Sequence, residues 1–312
     1  MSPTYSEYLR LEELLKLQTG VEGKTREISN DELHFILVHQ NFELWFKLII
    51  NELKCARDIL SSDFVEEENL PQAVHHMERV IETFKLMSMQ WKVMETLEPQ
   101  DFLNFRDDLG TASGFESFQM REMENLMGQK WVDGKLFGKK LDSKQKSLYD
   151  VTCEWLFRTP IQGSILGSDG DESSVNNFID EYVEAHKKQY PDTNQEVLEF
   201  FDVEATTRRR RAGLLFIESY RSLPLLAWPR KLISKLIELE QAMVLWRASH
   251  ARMVERMIGR RIGTGGSSGV DYLDMTTKFR VFIDLWLVRS ILIKKDSLPK
   301  LINSEFYEFK GK

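Results

Sequence analysis

Residues 229–258 read PRKLISKLIELEQAMVLWRASHARMVERMI, and this stretch decides the fold. Apolar residues and one histidine recur along it at alternating spacings of four and three: Leu232, Leu236, Leu239, Met243, Trp246, His250, Met253 and Met257. That period places all of them on one face of a helix, and a continuous apolar face is typical of a buried helix. The sequence therefore predicts a long buried helix that begins after Pro229 and ends before Gly263.

A second buried helix is predicted between residues 30 and 60. Ser29 and Glu32 have the Ser-x-x-Glu spacing of a capping box, which marks the start of a helix. Between Phe35 and Leu53, apolar residues occupy most sides of this predicted helix. Such a distribution is typical of a helix at the centre of a core.

The rest of the chain also predicts helices and no sheet. Helical stretches are expected at about 70–96, 101–108, 115–127, 146–157, 175–187, 194–201, 207–221 and 275–293. Glycine (17) and proline (8) are scarce in 312 residues, which favours long helices. A segment rich in Gly, Ser and Asp, 163–174, is predicted to be a mobile surface loop. We therefore expect an all-α fold with an N-terminal arm, 1–29, and a single helical domain, 30–312.

Composition and charge exclude several classes of function. A formal net charge of -7 argues against a nucleic-acid partner, because phosphate binding needs concentrated positive charge. The one basic run, Arg208–Arg211, is interpreted as a solvated helix start or an ion-pair patch between subunits. The most apolar stretch, 35–50, is too short and too polar to span a membrane. Two isolated cysteines, Cys55 and Cys153, offer no disulfide framework, so a cytoplasmic protein is expected.

Two histidines on the two predicted core helices are candidate metal ligands. His250 stands where Leu, Met or Trp stands in the other turns, and a buried imidazole needs partners for its nitrogens. His39 lies one turn after Phe35 on the other helix. Neutral imidazole is a good ligand for iron, and facing helices of a bundle often build cofactor sites. A core histidine bonded to a carbonyl or a carboxylate is the alternative for each position.

A possible substrate clamp and a possible lid complete the candidates. Arg106 follows Phe102 by four residues, so a guanidinium and an aromatic ring share one helical face and could hold a carboxylate and an apolar group together. A surface salt bridge is the alternative for Arg106. The loop GTGGSSG at 263–269 could fold over a ligand and offer the Thr264 hydroxyl, or it could be a flexible linker. These features fit a haem enzyme, a haem sensor or a helical scaffold without haem.

Several separated blocks resemble the tryptophan 2,3-dioxygenase family, in the order and spacing of that family. They are FILVHQ at 35–40, ELWFK at 43–47, NFRD at 104–107, SGF at 113–115, RTP at 158–160, WR at 246–247 with His250, and the glycine loop at 263–269. Tyr5 and Tyr8 in the N-terminal arm also match. The resemblance covers nearly the whole chain.

The resemblance implies a helical bundle around a b-type haem, iron protoporphyrin IX, with ferrous iron in the active state. His250 would be the iron ligand, and Ser113 and Trp246 would contact the haem. His39 would be the catalytic histidine that accepts a hydrogen bond from the substrate indole N–H. The substrate-binding residues would be Phe35, His39, Phe102, Arg106, Thr264, Tyr5 and Tyr8.

The resemblance also implies an activity and an assembly. L-tryptophan and O2 would be the substrates, and N-formyl-L-kynurenine would be the product, in tryptophan catabolism by the kynurenine pathway. The chain would form a homotetramer, a dimer of dimers, in which each N-terminal arm reaches the pocket of a neighbouring subunit. A haem monooxygenase acting on tryptophan or a substituted tryptophan is the enzymatic alternative.

Overall fold

The computed structural model of the chain has the predicted all-α architecture. It describes residues 2–20, 27–110, 112–129, 135–136, 139–140, 145–263 and 269–309. The α-helices are α1 Tyr5–Leu9, α2 Leu11–Leu14, α3 Asn30–Leu60, α4 Leu70–Met94, α5 Pro99–Arg106, α6 Phe118–Met127, α7 Leu148–Phe157, α8 Asp171–Gln189, α9 Asn194–Phe201, α10 Ala205–Ser219, α11 Ala227–Ile258, α12 Val270–Thr276 and α13 Ile283–Leu287.

Short elements connect these helices. Turns of 3-10 helix lie at Glu67–Asn69, Asp107–Leu109, Gly114–Glu116, Pro191–Thr193, Pro224–Leu226, Val288–Ile291, Lys295–Ser297 and Ser304–Tyr307. Within the described ranges, two short β-strands form one antiparallel pair, β1 Lys135–Leu136 and β2 Lys139–Lys140. Across the same ranges, we find no helix with the length and apolar character needed to cross a membrane.

Three long helices form the centre of the core, with α4 packed against both α3 and α11. The predicted seam on α11 is confirmed, because its apolar residues are at most 7% exposed. Burial of each such side chain contributes roughly 1.5–3 kcal/mol, so the seam fixes α11 against its neighbours. His250 is the seam residue that stays partly accessible, since its ring faces a cavity.

The predicted start of this long helix is wrong by a few residues. α11 begins at Ala227, and Pro229 lies inside its first turn rather than before it. The N–H groups of a first helical turn have no acceptor within the helix, so a residue without an N–H is tolerated there. The helix ends at Ile258, before Gly263 as predicted.

The start of α3 is confirmed, but its burial is one-sided. The Ser29 side chain accepts a hydrogen bond from the Glu32 backbone N–H at the predicted cap. On the outer face, Leu37, Leu44 and Leu48 are 39%, 50% and 38% exposed. The expectation of a helix buried on most sides is therefore wrong for the single chain, in which an apolar stripe of α3 remains open.

The predicted helix at 275–293 is also wrong, because the chain breaks between α12 and α13. A buried carboxylate on α11 accounts for the break. Glu240 accepts hydrogen bonds from the backbone N–H groups of Val281 and Phe282 and from the indole N–H of Trp286, the last at 2.6 Å. These bonds satisfy N–H groups that a continuous helix would have used internally.

The arginine run at 208–211 is not a solvated helix start. Arg209 pairs with Asp171 at 3.0 Å, and the next two arginines both pair with Asp284 at 2.8 Å. These three arginine side chains are only 11–17% exposed. The run therefore binds carboxylates of its own chain and ties α10 to α8 and α13.

The predicted loop at 163–174 ends at residue 170, where α8 begins. Asp171, the first residue of that helix, accepts hydrogen bonds from the Ser164 hydroxyl and the Gly167 N–H, and it pairs with Arg209. One buried carboxylate thus holds the loop to the start of the helix.

The predicted N-terminal arm contains two short helices, α1 and α2. They meet at Arg10, whose φ of 53° bends the chain. Neither helix contains a buried residue. A side-chain hydrogen bond of 2.7 Å from Gln18 to Gln40 joins the end of the arm to α3.

We expect Glu240→Ala to lower the free energy of unfolding by about 3 kcal/mol, because it leaves buried N–H donors without an acceptor. Chemical denaturation measures the change. The matched control is Glu238→Ala on the same helix, whose half-exposed ion pairs with Lys85 and Lys235 contribute at most about 1 kcal/mol. Equal losses for the two variants would contradict the anchoring role of Glu240.

Candidate active site

One cavity brings together most of the residues that the sequence singled out. Its walls come from α3, α4, α5, α6, α11 and α12, and it is lined by Phe35, His39, Phe102, Arg106, Ser113, Trp246 and His250 among others. The space between these walls amounts to about 1410 Å³, part of which is open to solvent. The wall is mainly aromatic and aliphatic, with polar groups at a few points, as is typical of a ligand site.

His250 faces this cavity from α11 as a neutral imidazole. Desolvation and the nearby His39 lower its pKa to about 3. The ring lies parallel to the indole of Trp91, with 4.5 Å between ring centroids and 5° between planes. Across the described part of the chain, no hydrogen bond reaches either ring nitrogen of His250. Its lone pair is therefore available to a ligand in the cavity.

Trp91 is a cavity residue that sequence reasoning missed. It lies on α4, stacks on His250 and packs against Phe42 at 4.2 Å. The indole N–H groups of Trp91 and Trp246 are both buried, and neither has a hydrogen-bond partner among the residues that the structure describes. Nothing in the local pattern of α4 separates this tryptophan from ordinary core residues, so no sequence signal could have found it.

His39 faces the same cavity from α3, and its tautomer follows from a hydrogen bond. Nδ1 lies 2.8 Å from the backbone carbonyl oxygen of Phe35, which can only accept, so Nδ1 carries the proton. Burial lowers the pKa of His39, although the Phe35 carbonyl and the Glu43 carboxylate oppose this. The neutral ring therefore presents Nε2 as a hydrogen-bond acceptor.

An aromatic wall stands beside His39. The Phe35 ring lies 4.0 Å from the imidazole centroid and 5.8 Å from the Phe102 ring. Phe105, which the sequence did not single out, completes the group at 5.7 Å from Phe35 and 5.4 Å from Phe102. The wall can enclose a flat apolar ring next to an acceptor nitrogen.

Arg106 lies at the edge of the cavity, on the same helix as Phe102. Its guanidinium donates a hydrogen bond of 2.6 Å to the backbone carbonyl of Ile262. Within the described ranges, no carboxylate pairs with Arg106. This contradicts the alternative that Arg106 forms a surface salt bridge. Because this guanidinium pairs with a neutral carbonyl in those ranges, it can still bind an anion.

The remaining predicted site residues have different positions. Ser113 lines the cavity, and so do Gly263 and Gly269 at the ends of the predicted lid. Thr264 lies outside the described residues. Tyr5 and Tyr8 are 76% and 78% exposed and do not line the cavity of their own chain.

A buried charged cluster forms another part of the wall. Arg121 pairs with Glu124 on α6, and Arg247 of α11 pairs with the same carboxylate, both at 2.6 Å. Their side chains are 1–4% exposed. Arg247 interrupts the apolar face of α11 three residues before His250, so the sequence does carry a signal for a charged group at this point.

The site fits the haem that the resemblance implies. An imidazole with a free lone pair suits an axial ligand, and the surrounding rings offer a flat apolar surface to a tetrapyrrole. Such a ligand also has polar groups. The buried indole N–H groups of Trp91 and Trp246 and the charged cluster can form hydrogen bonds or ion pairs with them.

Comparison with known proteins supports the same interpretation. The family model for tryptophan 2,3-dioxygenase matches residues 1–200 and 202–292. The chain is 39% identical to "Tryptophan 2,3-dioxygenase 2" of Ralstonia nicotianae, over 98% of this chain and 97% of that protein. It is 40% identical to the tryptophan 2,3-dioxygenase of Sorangium cellulosum, over 98% and 87%, and 32% identical to that of Anopheles gambiae, over 96% and 88%.

We expect the His39 ring of the cofactor-free protein to carry its proton on Nδ1 at neutral pH. Because burial lowers its pKa below the ordinary value of 6.5, Nε2 takes up a proton only at more acidic pH. Long-range proton–nitrogen spectra of labelled protein report the tautomer, and His39→Gln assigns the signals. A proton on Nε2 at pH 7 would rule out its role as an acceptor.

Proposed function

The chain belongs to the tryptophan 2,3-dioxygenase family, and we propose on that premise that it opens the indole ring of L-tryptophan with O2 to give N-formyl-L-kynurenine. The observation that carries this proposal is the shared cavity. One aromatic pocket is lined by the His250 imidazole on α11, by the His39 imidazole on α3, which can accept a hydrogen bond, and by Arg106 at the rim.

The cofactor in this proposal is a b-type haem, ferrous in the active state. Bound haem would supply the iron that activates O2. His250 would hold that iron, because its ring is neutral and its lone pair is uncommitted. Trp91 fixes the plane of the imidazole by stacking, so the ligand needs little reorganisation. Trp246 and Ser113 belong to the wall that would contact the cofactor.

The substrate in this proposal is held at both ends. Arg106 would exchange the Ile262 carbonyl for the amino-acid carboxylate, which forms a stronger, charge-assisted bond. Phe35 and Phe102 would enclose the indole, and His39 Nε2 would accept a hydrogen bond from its N–H. As the family resemblance implies, the hydroxyl of Thr264 would also contact the polar end of the substrate. The apolar walls exclude water from the reacting ring.

We also propose a cytoplasmic homotetramer, built as a dimer of dimers. An apolar surface on the outer face of the core supports an oligomer, since Leu44 on α3 and Met89 on α4 are 50% and 70% exposed. Residues 1–29 would form an arm that inserts Tyr5 and Tyr8 into the pocket of a neighbouring subunit. The arm helices contain no buried residue within one chain, which supports this assignment. Residues 30–312 would form the catalytic domain, and no nucleic acid or membrane is involved.

The reaction class is tested by the fate of labelled oxygen. We expect the reduced, haem-loaded protein to convert L-tryptophan under labelled O2 into N-formyl-L-kynurenine that contains two labelled atoms. Mass spectrometry of the product counts them. A product with one labelled atom would establish a monooxygenase instead. A haem spectrum that tryptophan does not perturb, without product, would favour a sensor, and the lack of any Soret band would favour a scaffold.

Substitution of the two histidines by alanine should have different effects on haem binding and activity. We expect His250→Ala to abolish the Soret band, because the iron loses its protein ligand. His39→Ala should keep the haem and lose about fivefold in kcat/KM, since one neutral hydrogen bond contributes about 1 kcal/mol. His75→Ala, an exposed change on α4, is the control and should preserve both. Loss of haem in His39→Ala and not in His250→Ala would reverse the assignment.

A further inference from the structure

A carboxylate faces the cavity one helical turn beyond His39. Glu43 and His39 both line the cavity, and four residues separate them on α3. Side chains at that spacing project from the same side of a helix, with about 5–6 Å between their Cβ atoms. The Glu43 carboxylate is therefore a neighbour of the imidazole that we assign to the indole N–H.

Gln119 of α6 holds Glu43 in this position. Its side-chain amide donates one hydrogen bond to the Glu43 carboxylate and another to the Glu43 backbone carbonyl, both of 2.8 Å. Both protons of the amide are thus used on one residue, which fixes the orientation of the carboxylate. In the described part of the chain, no ion pair reaches that carboxylate. Its negative charge therefore faces the cavity without a bonded cation from those residues.

Other titratable and charged groups face the same cavity from the helices packed against α3. They are Arg106 of α5, Arg121 of α6, Arg247 and His250 of α11, and Tyr272 of α12. Burial lowers the pKa of His250 to about 3 and raises that of Tyr272, so both are uncharged at pH 7. Of the charged side chains that the structure describes, Glu43 is the one that shifts the pKa of His39, and it raises that pKa.

We propose that Glu43 is a positioning residue that acts through His39, because its negative charge strengthens Nε2 as the acceptor of the indole N–H. The inference rests on the proposed function, since it takes an indole as the group that His39 contacts. An acceptor gains partial positive charge when it binds a proton donor, and a nearby carboxylate stabilises that charge. Glu43 therefore favours substrates whose ring carries an N–H over analogues that lack one.

Glu43→Gln is the test variant, since it removes the charge and keeps the shape of the side chain. Glutamine still has an oxygen that can accept the hydrogen bond from Gln119. Glu43→Asp keeps the charge and should retain most of the effect. Asp58→Asn is the matched control, because it removes one negative charge from the same helix at a side chain that is 64% exposed and lies outside the cavity wall.

The first measurement compares two ligands of the reduced, haem-loaded protein in the absence of O2. They are L-tryptophan and its benzothiophene analogue, in which sulfur replaces the indole N–H. Changes in the Soret band give both dissociation constants. We expect Glu43→Gln to weaken tryptophan binding by about two- to fourfold, which is less than the effect of removing one neutral hydrogen bond. Binding of the sulfur analogue should stay unchanged, and Asp58→Asn should bind both ligands as the unchanged protein does.

The second measurement needs no haem. Proton–nitrogen spectra of the labelled, cofactor-free protein follow the His39 ring as acid is added. We expect Glu43→Gln to move the midpoint of Nε2 protonation to more acidic pH, because the pKa of a buried imidazole falls when a negative neighbour is removed. Glu43→Asp should lie between this variant and the unchanged protein, and Asp58→Asn should leave the midpoint where it is.

Two results would overturn the proposal. One is an equal effect, or no effect, of Glu43→Gln on the two ligands, which would show that the residue only shapes the pocket. The other is an unchanged midpoint of His39 protonation in the same variant. The proposed function fails separately, if the unchanged protein binds haem and its spectrum does not respond to tryptophan. The midpoint would then still decide whether Glu43 acts on His39.

Discussion

The structure depends on burying the apolar seam of α11, chiefly against α4, which in turn packs on α3. Leucine, methionine and tryptophan side chains in that seam provide the packing energy, and they place His250 at the wall of the cavity. An imidazole there cannot carry a charge at neutral pH, because desolvation lowers its pKa to about 3. The packing that holds the fold together therefore also prepares the residue that we assign to iron.

A backbone contact gives the second imidazole a different role. His39 is also neutral and buried, but the carbonyl one turn earlier on α3 fixes the proton on Nδ1. A bonded Nδ1 and an accepting Nε2 suit a substrate contact, whereas His250, with no hydrogen bond in the described ranges, suits a metal. The main chain thus fixes the orientation of one imidazole, and the stacking ring of Trp91 fixes that of the other.

Local patterns were sufficient to predict the helices and part of the site. The seam of α11 and the Ser29 cap of α3 depend on residues close together in sequence, and both were predicted correctly. The break after α12 was not, because Glu240 captures N–H groups about 40 residues away. Trp91 was missed for the same reason, since only the packing of α4 against α11 places it on His250. Contacts between distant segments leave no periodic trace in the sequence.

The surroundings distinguish two clusters in which two arginines share one carboxylate. Arg210 and Arg211 both pair with Asp284, and the Arg211 guanidinium also donates a hydrogen bond to the Phe200 backbone carbonyl and lies over the Phe200 ring. Contacts within the protein therefore complete that cluster. At Glu124 the two arginines are 2% and 4% exposed, and both line the cavity. The same pairing therefore joins α10 to α13 at Asp284, whereas at Glu124 it also forms part of the wall of the candidate site.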